Sequence, residues 1–320
     1  MKRLLFIGLI LTLVLGACGK KDDKSETGAD GKLSIYTTVY PLQYFAERIG
    51  GSHVNVHSIY PAGADEHTFE PTQKDMMKLA DADVFFYIGL GLEGFVENAK
   101  KTLTNEKVQM IATAENISTE QLQAGHDHDD DHDEEDHDGE EHHDHGEFDP
   151  HVWISPQLSV ELAKSIEEAL ANEAPEFQDE FKRNLDELVQ DLNALDGRFQ
   201  EMASNSPTKT FFVSHAAFGY IAKEYGLEQV AISGLNSQSE PSQKQLAHIV
   251  EQAKGKNVHY ILFEQNVSSK LTEVIRKEIG AESLMLHNLG VLTPDDIKNK
   301  ETYFTLMDRN IETLQKALSR

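Results

Sequence analysis

From Leu33 onward, short apolar runs alternate with amphipathic ones. Leu33–Tyr40, Val54–Tyr60, Asp83–Ile88 and Lys107–Ala112 are rich in Val, Ile, Tyr and Phe and predict strands. Pro41–Ile49, Thr72–Ala82 and Leu92–Leu103 predict the intervening helices, with Pro41 suited to a first helical turn. A further helix is expected over Pro156–Asn172. After Pro207 the alternation restarts, with strands expected at Thr210–Ser214, Glu228–Ile232, Val258–Glu264 and Ser283–His287. Helices are expected at Phe218–Tyr225, Ser242–Lys254, Ser269–Ile279 and Thr302–Ser319. Strands alternating with helices imply βαβ units, so the expected class is α/β, with mainly parallel sheets in two (β/α)-type lobes.

Between the two halves lies the longest helical pattern, from Pro175 to about Ser204, with no internal proline. Phe177, Phe181, Leu185, Leu188, Leu192, Leu195 and Phe199 recur at spacings of three and four, forming one apolar stripe. Some 30 helical residues span roughly 45 Å, which suits a strut between lobes. The expected organisation is a first lobe over 33–172, a linking helix over 173–206 and a second lobe over 207–320.

One segment breaks the pattern. Residues 126–147 read HDHDDDHDEEDHDGEEHHDHGE, with seven histidines, thirteen carboxylates and no lysine, arginine or aromatic residue. Such a run has nothing to bury and is expected to be disordered. Its imidazoles and carboxylates are nonetheless transition-metal ligands, and His126, His128, His132, His137, His142, His143 and His145 are read as a weak auxiliary metal loop. The run supplies half of the formal net charge of −26, which argues against a nucleic-acid partner.

The N-terminus has two basic residues, an apolar stretch from Leu4 to Leu15 and then Gly16-Ala17-Cys18. This is the pattern of a secretory signal, residues 1–17, too short for a comfortable transmembrane helix. Leu15-Gly16-Ala17-Cys18 resembles a bacterial lipobox, which implies cleavage before Cys18 and diacylation of its sulfur. Residues 18–32 then read as a lipidated cysteine and a flexible tether. Cys18 is the only cysteine, so a metal site in the mature chain must use His, Asp or Glu.

Three histidines outside the run stand in distinctive settings. His67 lies in a Pro- and Gly-containing loop after a buried-looking strand, His151 between Pro150 and the only tryptophan, and His215 at the end of the apolar strand Phe211–Ser214. In open α/β sheets ligands bind beyond the carboxyl ends of strands, where His67 and His215 are expected. Taken singly, a histidine in such a place is more often a packing or hydrogen-bonding residue.

The motifs YPAGADEHTFEPTQKD (60–75), DPHVWISP (149–156), FFVSHAAFGYIAKEYGL (211–227), SEPSQKQL (239–246) and FEQNVSSK (263–270), together with the acidic histidine-rich insertion, cover both halves. With them the chain resembles the zinc-binding lipoproteins of bacterial ABC importers, the metal-specific class of solute-binding proteins. The resemblance implies two lobes joined by one rigid helix with Zn2+ held in the cleft, and His67, His151 and His215 as the metal ligands. It also implies a monomer, lipid-anchored at Cys18 to the outer membrane face, that serves an ABC permease and its ATPase. Three neutral imidazoles at about 2.0–2.1 Å suit tetrahedral zinc, whereas manganese prefers oxygen. Imidazole alone would also accept copper or nickel.

Many such proteins carry an Asp or Glu as fourth ligand in the loop after the last strand; here that loop is Leu286–Leu292, and glycine stands in its place. Water, Glu66 or another carboxylate is then expected at the fourth position, with Glu66 first. Glu264 is expected to face the cleft or to lie behind the ligands, and His287 to be structural. His53, His57, His248 and His259 read as surface or sheet-face residues. Three other readings compete: a binding protein for manganese or another divalent metal, a metal-dependent adhesin or extracellular metal buffer, and a zinc hydrolase. Neither HExxH nor HxxEH is present, which weighs against the hydrolase.

Overall fold

The computed structural model describes residues 31–123, 148–239, 241–266 and 270–320. The expected signal, Cys18, the tether as far as Asp30 and the histidine-rich run with its seven histidines lie outside the described residues.

The first sheet contains β1 (Leu33–Thr37), β2 (Val54–Ser58), β3 (Val84–Tyr87) and β4 (Gln109–Ala112), all parallel, in the order β2-β1-β3-β4. β3, Val-Phe-Phe-Tyr, is buried on both faces, as a strand between helix layers must be. The second sheet repeats the arrangement with β5 (Thr210–His215), β6 (Glu228–Ser233), β7 (Tyr260–Phe263) and β8 (Glu282–Met285), in the order β6-β5-β7-β8. In each sheet the chain reverses its winding between the two central strands, so each has a crevice beyond the carboxyl ends of that pair.

Helices α1 (Tyr40–Gly50), α2 (Gln73–Ala80), α3 (Val96–Thr102), α4 (Thr119–Gln123) and α5 (Pro156–Glu173) belong to the first half. A short 3-10 turn, Pro175–Phe177, leads into α6 (Gln178–Asn205). The 28 residues of α6 span about 42 Å, and its expected stripe is buried from Phe181 to Phe199. The helix packs against α1 and α5. In the second half are α7 (Gly219–Glu224), α8 (Gln243–Gly255), α9 (Lys270–Ile279), α10 (Pro294–Asn299) and α11 (Tyr303–Ala317).

α11 returns to pack on both α1 and α6. Its Tyr303 ring meets Phe45 of α1 edge-on at 5.0 Å, and its hydroxyl donates to the Trp153 carbonyl at 3.0 Å. One continuous apolar core therefore runs from Leu33 to Leu318 through both halves. A smaller cluster around Phe212, Ile232, Ile261 and Ile275 packs with α8 and α9 on the second sheet.

The expected elements are present, with shifts at their ends. The strand expected to reach Tyr40 stops at Thr37, because Tyr40 and Pro41 already occupy the first turn of α1. The last strand ends at Met285, and His287, expected to end it, lies in the loop that follows. Two short helices were not foreseen, α4 and α10; the second is closed by a capping box between Thr293 and Asp296.

Candidate metal centre

The two central strands of the second sheet deliver one side of the site. His215 ends β5, and Glu264 follows the neighbouring β7 directly. The Glu264 carboxylate accepts from the Ser214 hydroxyl at 2.6 Å and the His215 backbone N–H at 3.1 Å through one oxygen. Its other oxygen accepts from His215 Nδ1 at 2.6 Å. Burial alone would raise the Glu264 pKa, but His215 and the donors of Ser214 and Asn288 more than offset it and hold the group ionised.

The other two histidines come from the first half, each on the same local device. Asp65 Oδ1 accepts the His67 backbone N–H at 2.9 Å, and Asp149 Oδ1 accepts that of His151, also at 2.9 Å. These are Asp side chains bonding the main chain two residues on, which fixes the turn that aims each imidazole. Asp149 goes further and accepts from His151 Nδ1 at 2.7 Å. Trp153 lies against the His151 ring at 5.3 Å between centroids.

The ligand atoms of His67, His151 and His215 all lie within 4.8 Å of one another. His151 Nε2 is 3.2 Å from His67 Nε2 and 3.2 Å from His215 Nε2. Nitrogens bound to tetrahedral zinc at about 2.0–2.1 Å stand roughly 3.3–3.4 Å apart, so the spacing suits that ion. Nδ1–H of His151 and of His215 each donates a hydrogen bond to a carboxylate, so in the neutral rings both Nε2 atoms carry lone pairs. Two lone pairs facing each other at that distance repel unless a proton or a metal cation lies between them. His151 and His215 are fully buried, and His67 is half-buried.

Burial, and then its two neighbouring histidines, push His67 down to about 3. His151 is likewise held well below the usual imidazole range, first by burial and then by His215. His215 moves the opposite way: burial opposes its charge, but Glu264 raises it above the ordinary value. Of the three histidines, His215 therefore competes best for a proton.

Glu66 is buried, and burial raises its carboxyl to about 7. Among the described residues the close group of ligand atoms consists of the three histidines; Glu66 stands beside it, its Oε1 accepting from Asn288 Nδ2 at 3.0 Å. His287 is turned to structural work: its Nδ1 accepts from the Leu289 N–H at 2.9 Å and its Nε2 donates to Asp296 at 3.1 Å. His53 stacks on Phe177 at 3.7 Å and meets Glu180, away from the cluster.

Sequence reasoning assigned no role to Asp149, Ser214, Gln265 or Asn288. Asp149 had a signal, because Asp65-Glu66-His67 and Asp149-Pro150-His151 share the D-x-H spacing. Gln265 stands inside the FEQNVSSK motif, but nothing in the sequence pointed to its partner, and Asn288 had no signal, since the work of both depends on what the fold brings to them.

The family model for zinc-uptake complex component A, periplasmic (ZnuA), matches residues 35–317, and the chain belongs to this family. It is 37% identical over 315 residues to the zinc-binding lipoprotein AdcA of Streptococcus pneumoniae serotype 4, covering 97% of this chain and 60% of that protein. The chain thus spans little more than half the length of that relative. It is 34% identical over 315 residues to the high-affinity zinc uptake system protein ZnuA of Bacillus subtilis, with 98% of this chain and 97% of that one covered. Among solved structures, the Zn(II)-bound ZnuA-like domain of Streptococcus pneumoniae AdcA superposes with a TM-score of 0.73 at 34% identity. That match covers 91% of this chain and 100% of the domain.

Proposed function

We propose that this protein captures Zn2+ outside the cytoplasm and delivers it to an ABC permease and its ATPase, acting as a binding protein rather than an enzyme. One observation carries the reading. Three Nε2 atoms converge, and the other ring nitrogen of two of these histidines is committed to a carboxylate. Such carboxylate–histidine pairs fix the tautomer, orient the ring and make it a better ligand. His67, His151 and His215 are the proposed ligands, with Glu66 or water completing the sphere. Family membership and the zinc-named relatives support the choice of metal.

Binding then follows from charge and geometry. Zn2+ relieves the repulsion among the facing lone pairs, and protons compete with it most strongly at His215, whose pKa Glu264 raises. His67 is the proposed point of entry and exit, because it is the half-buried member of the three. The ligands come from both halves, so the bound ion ties them together, and the partner reads the metal-loaded arrangement. Cys18 is the proposed lipid anchor that keeps the protein at the membrane. The histidine-rich run is a proposed collector, raising the local zinc concentration near the cleft through many weak sites.

Calorimetric titration of the mature chain lacking residues 126–146 tests the site. Sub-micromolar zinc binding is expected, and His67→Ala or His215→Ala should each weaken it by more than about 100-fold, beyond the usual effect of losing a supporting partner. Unchanged affinity in both variants overturns the assignment. Tighter binding of Mn2+ than of Zn2+ overturns the choice of metal.

A further inference from the structure

The loop after β8 brings Asn288 to the point where every ligand-bearing segment meets. Its side-chain Nδ2 donates to Glu66 Oε1 at 3.0 Å and to Glu264 Oε2 at 3.2 Å. An amide NH2 has two protons, so each carboxylate receives one. Glu66 precedes His67, and Glu264 backs His215. The Asn288 carbonyl accepts from Trp153 Nε1 at 2.7 Å, and Trp153 stands two residues beyond His151. One residue thus reaches all three histidine segments, across both halves of the molecule.

The amide orientation is dictated by its surroundings. Oδ1 accepts from Gln265 Nε2 at 2.6 Å and from the Gly290 N–H at 3.0 Å. Gln265 also accepts the Asn288 backbone N–H at 3.1 Å through Oε1, so the two residues clasp each other reciprocally. With the oxygen side occupied by donors, Nδ2 must face the two carboxylates. Asn288 is almost fully buried, so these bonds are sheltered from competing water.

We propose that Asn288 is the positioning residue of the metal site, holding the Glu66 and Glu264 carboxylates at a set separation so that the histidines of the two halves meet in binding geometry. This rests on the zinc-binding reading above. Without the amide, the two buried carboxylates lose their shared donor. Glu264 keeps His215 and Ser214, while Glu66 loses the side-chain bond that ties it to the loop after β8. Partners of this kind, one bond removed from a ligand, typically cost about 10–100-fold in metal affinity when removed.

Two variants separate positioning from packing. Asn288→Ala removes both bonds and volume; Asn288→Leu keeps a similar volume and shape but no hydrogen-bonding group. The backbone bond to Trp153 survives in both, which favours folding, and thermal melts of the metal-free proteins monitor it. Zinc affinity by chelator competition should fall about 10–100-fold in both variants. The visible spectrum of bound Co2+, which reports coordination geometry, should change in both. Gln265→Leu, which frees the amide to turn, should shift the spectrum in the same direction with a smaller loss. If Asn288→Leu restores parental affinity and spectrum, the residue acts through volume and the positioning role is overturned. A parent protein that binds Zn2+ without help from the three histidines overturns the underlying reading instead. Should Asn288→Ala not fold, Asn288→Leu and Gln265→Leu decide between these outcomes.

Discussion

Glu66 and Gly290 compete for one small volume: a Cβ built on Gly290 would stand 2.7 Å from the Cδ and from Oε1 of Glu66. The Gly290 backbone has no room to retreat, because its N–H donates to Asn288 Oδ1 at 3.0 Å and its carbonyl accepts from Tyr40 N–H at 2.9 Å. The glycine therefore has a steric reason. At the position where the family resemblance implies an acidic side chain, this chain leaves a space, and a carboxylate from the other half fills it.

Gly290→Ala should expel Glu66 from its place. Overpacking of this kind costs about 1–3 kcal/mol, read as a lowered midpoint in urea unfolding. Zinc affinity should fall with it if Glu66 completes the coordination sphere. In a Glu66→Ala background the same substitution should be close to neutral, which a double-mutant cycle measures. Additive effects would mean that the two residues do not share the space.

Asp149 accepts both the backbone and the ring nitrogen of His151. Asp149→Asn keeps the size but replaces the charged acceptor and lets the His151 ring take the other tautomer. Zinc affinity should drop by about 10–100-fold, with little change in the metal-free melting temperature. A loss confined to folding stability would show that Asp149 serves the turn and not the ligand.

The pH dependence of zinc binding should report His215. His67 and His151 are held neutral, whereas Glu264 keeps the His215 pKa above the ordinary imidazole value. The proton that binds His215 occupies Nε2, the same lone pair the metal needs. Affinity should thus be full above the His215 pKa and fall by up to tenfold per pH unit below it, with onset above the ordinary value of about 6.5. A competition titration across about pH 5–8 reads the midpoint. Glu264→Gln should move it downward; an unmoved midpoint would assign the proton elsewhere.

Glu224 gives a second pH effect, on folding. Its carboxylate, on α7, accepts from the Ser155 hydroxyl at 2.5 Å, while its Oε2 is buried with no hydrogen-bond partner among the described residues. Burial raises its pKa from 4.5 to about 7. The folded state therefore binds the proton more tightly than the unfolded chain. This contribution is fully present below the unfolded value and is lost as pH rises through about 7. Glu224→Gln should stabilise the protein at about pH 8 by up to roughly 3 kcal/mol and do little near pH 4. Urea unfolding at the two pH values checks this, and equal effects at both would refute the charge argument.

A cross-half contact guards the half-buried histidine. Ser237 donates to Asp65 Oδ2 at 3.0 Å, and the other oxygen of Asp65 holds the His67 backbone. Ser237→Ala should loosen the His67 loop and speed zinc release to a chelator by up to roughly tenfold, the scale of one hydrogen bond to a charged group. Stopped-flow transfer to a fluorescent chelator measures it; an unchanged rate would free this contact from any part in exchange.

Periodicity was enough for the parts of the fold that repeat. The stripe from Phe181 to Phe199 announced α6, because burying one face of a long helix requires an apolar residue every three or four positions. The apolar runs around Val84–Tyr87 and Phe211–Val213 announced strands for a different reason: a strand covered on both faces is apolar at successive positions. α4 and α10, with 5 and 6 residues, are too short to show a period; α10 is marked only by its Thr293–Asp296 cap.

The ligand chemistry was also legible in one dimension: imidazoles in loops and at a strand end, a single cysteine, Cys18, near the start of the sequence, and motifs shared with a known family. What the sequence alone determined is thus the kind of fold, the kind of ligand and the identity of three candidate histidines. Tertiary structure alone decided their company. His67, His151 and His215 lie 84 and 64 positions apart along the chain, yet their nitrogens stand 3.2 Å apart in successive pairs. Glu66 meets Asn288 across 222 positions, and Gly290 makes the room. Hydrogen bonds and steric exclusion act over a few ångströms without regard to chain separation. A residue such as Asn288, whose importance consists wholly of the neighbours that folding supplies, leaves no mark in the sequence.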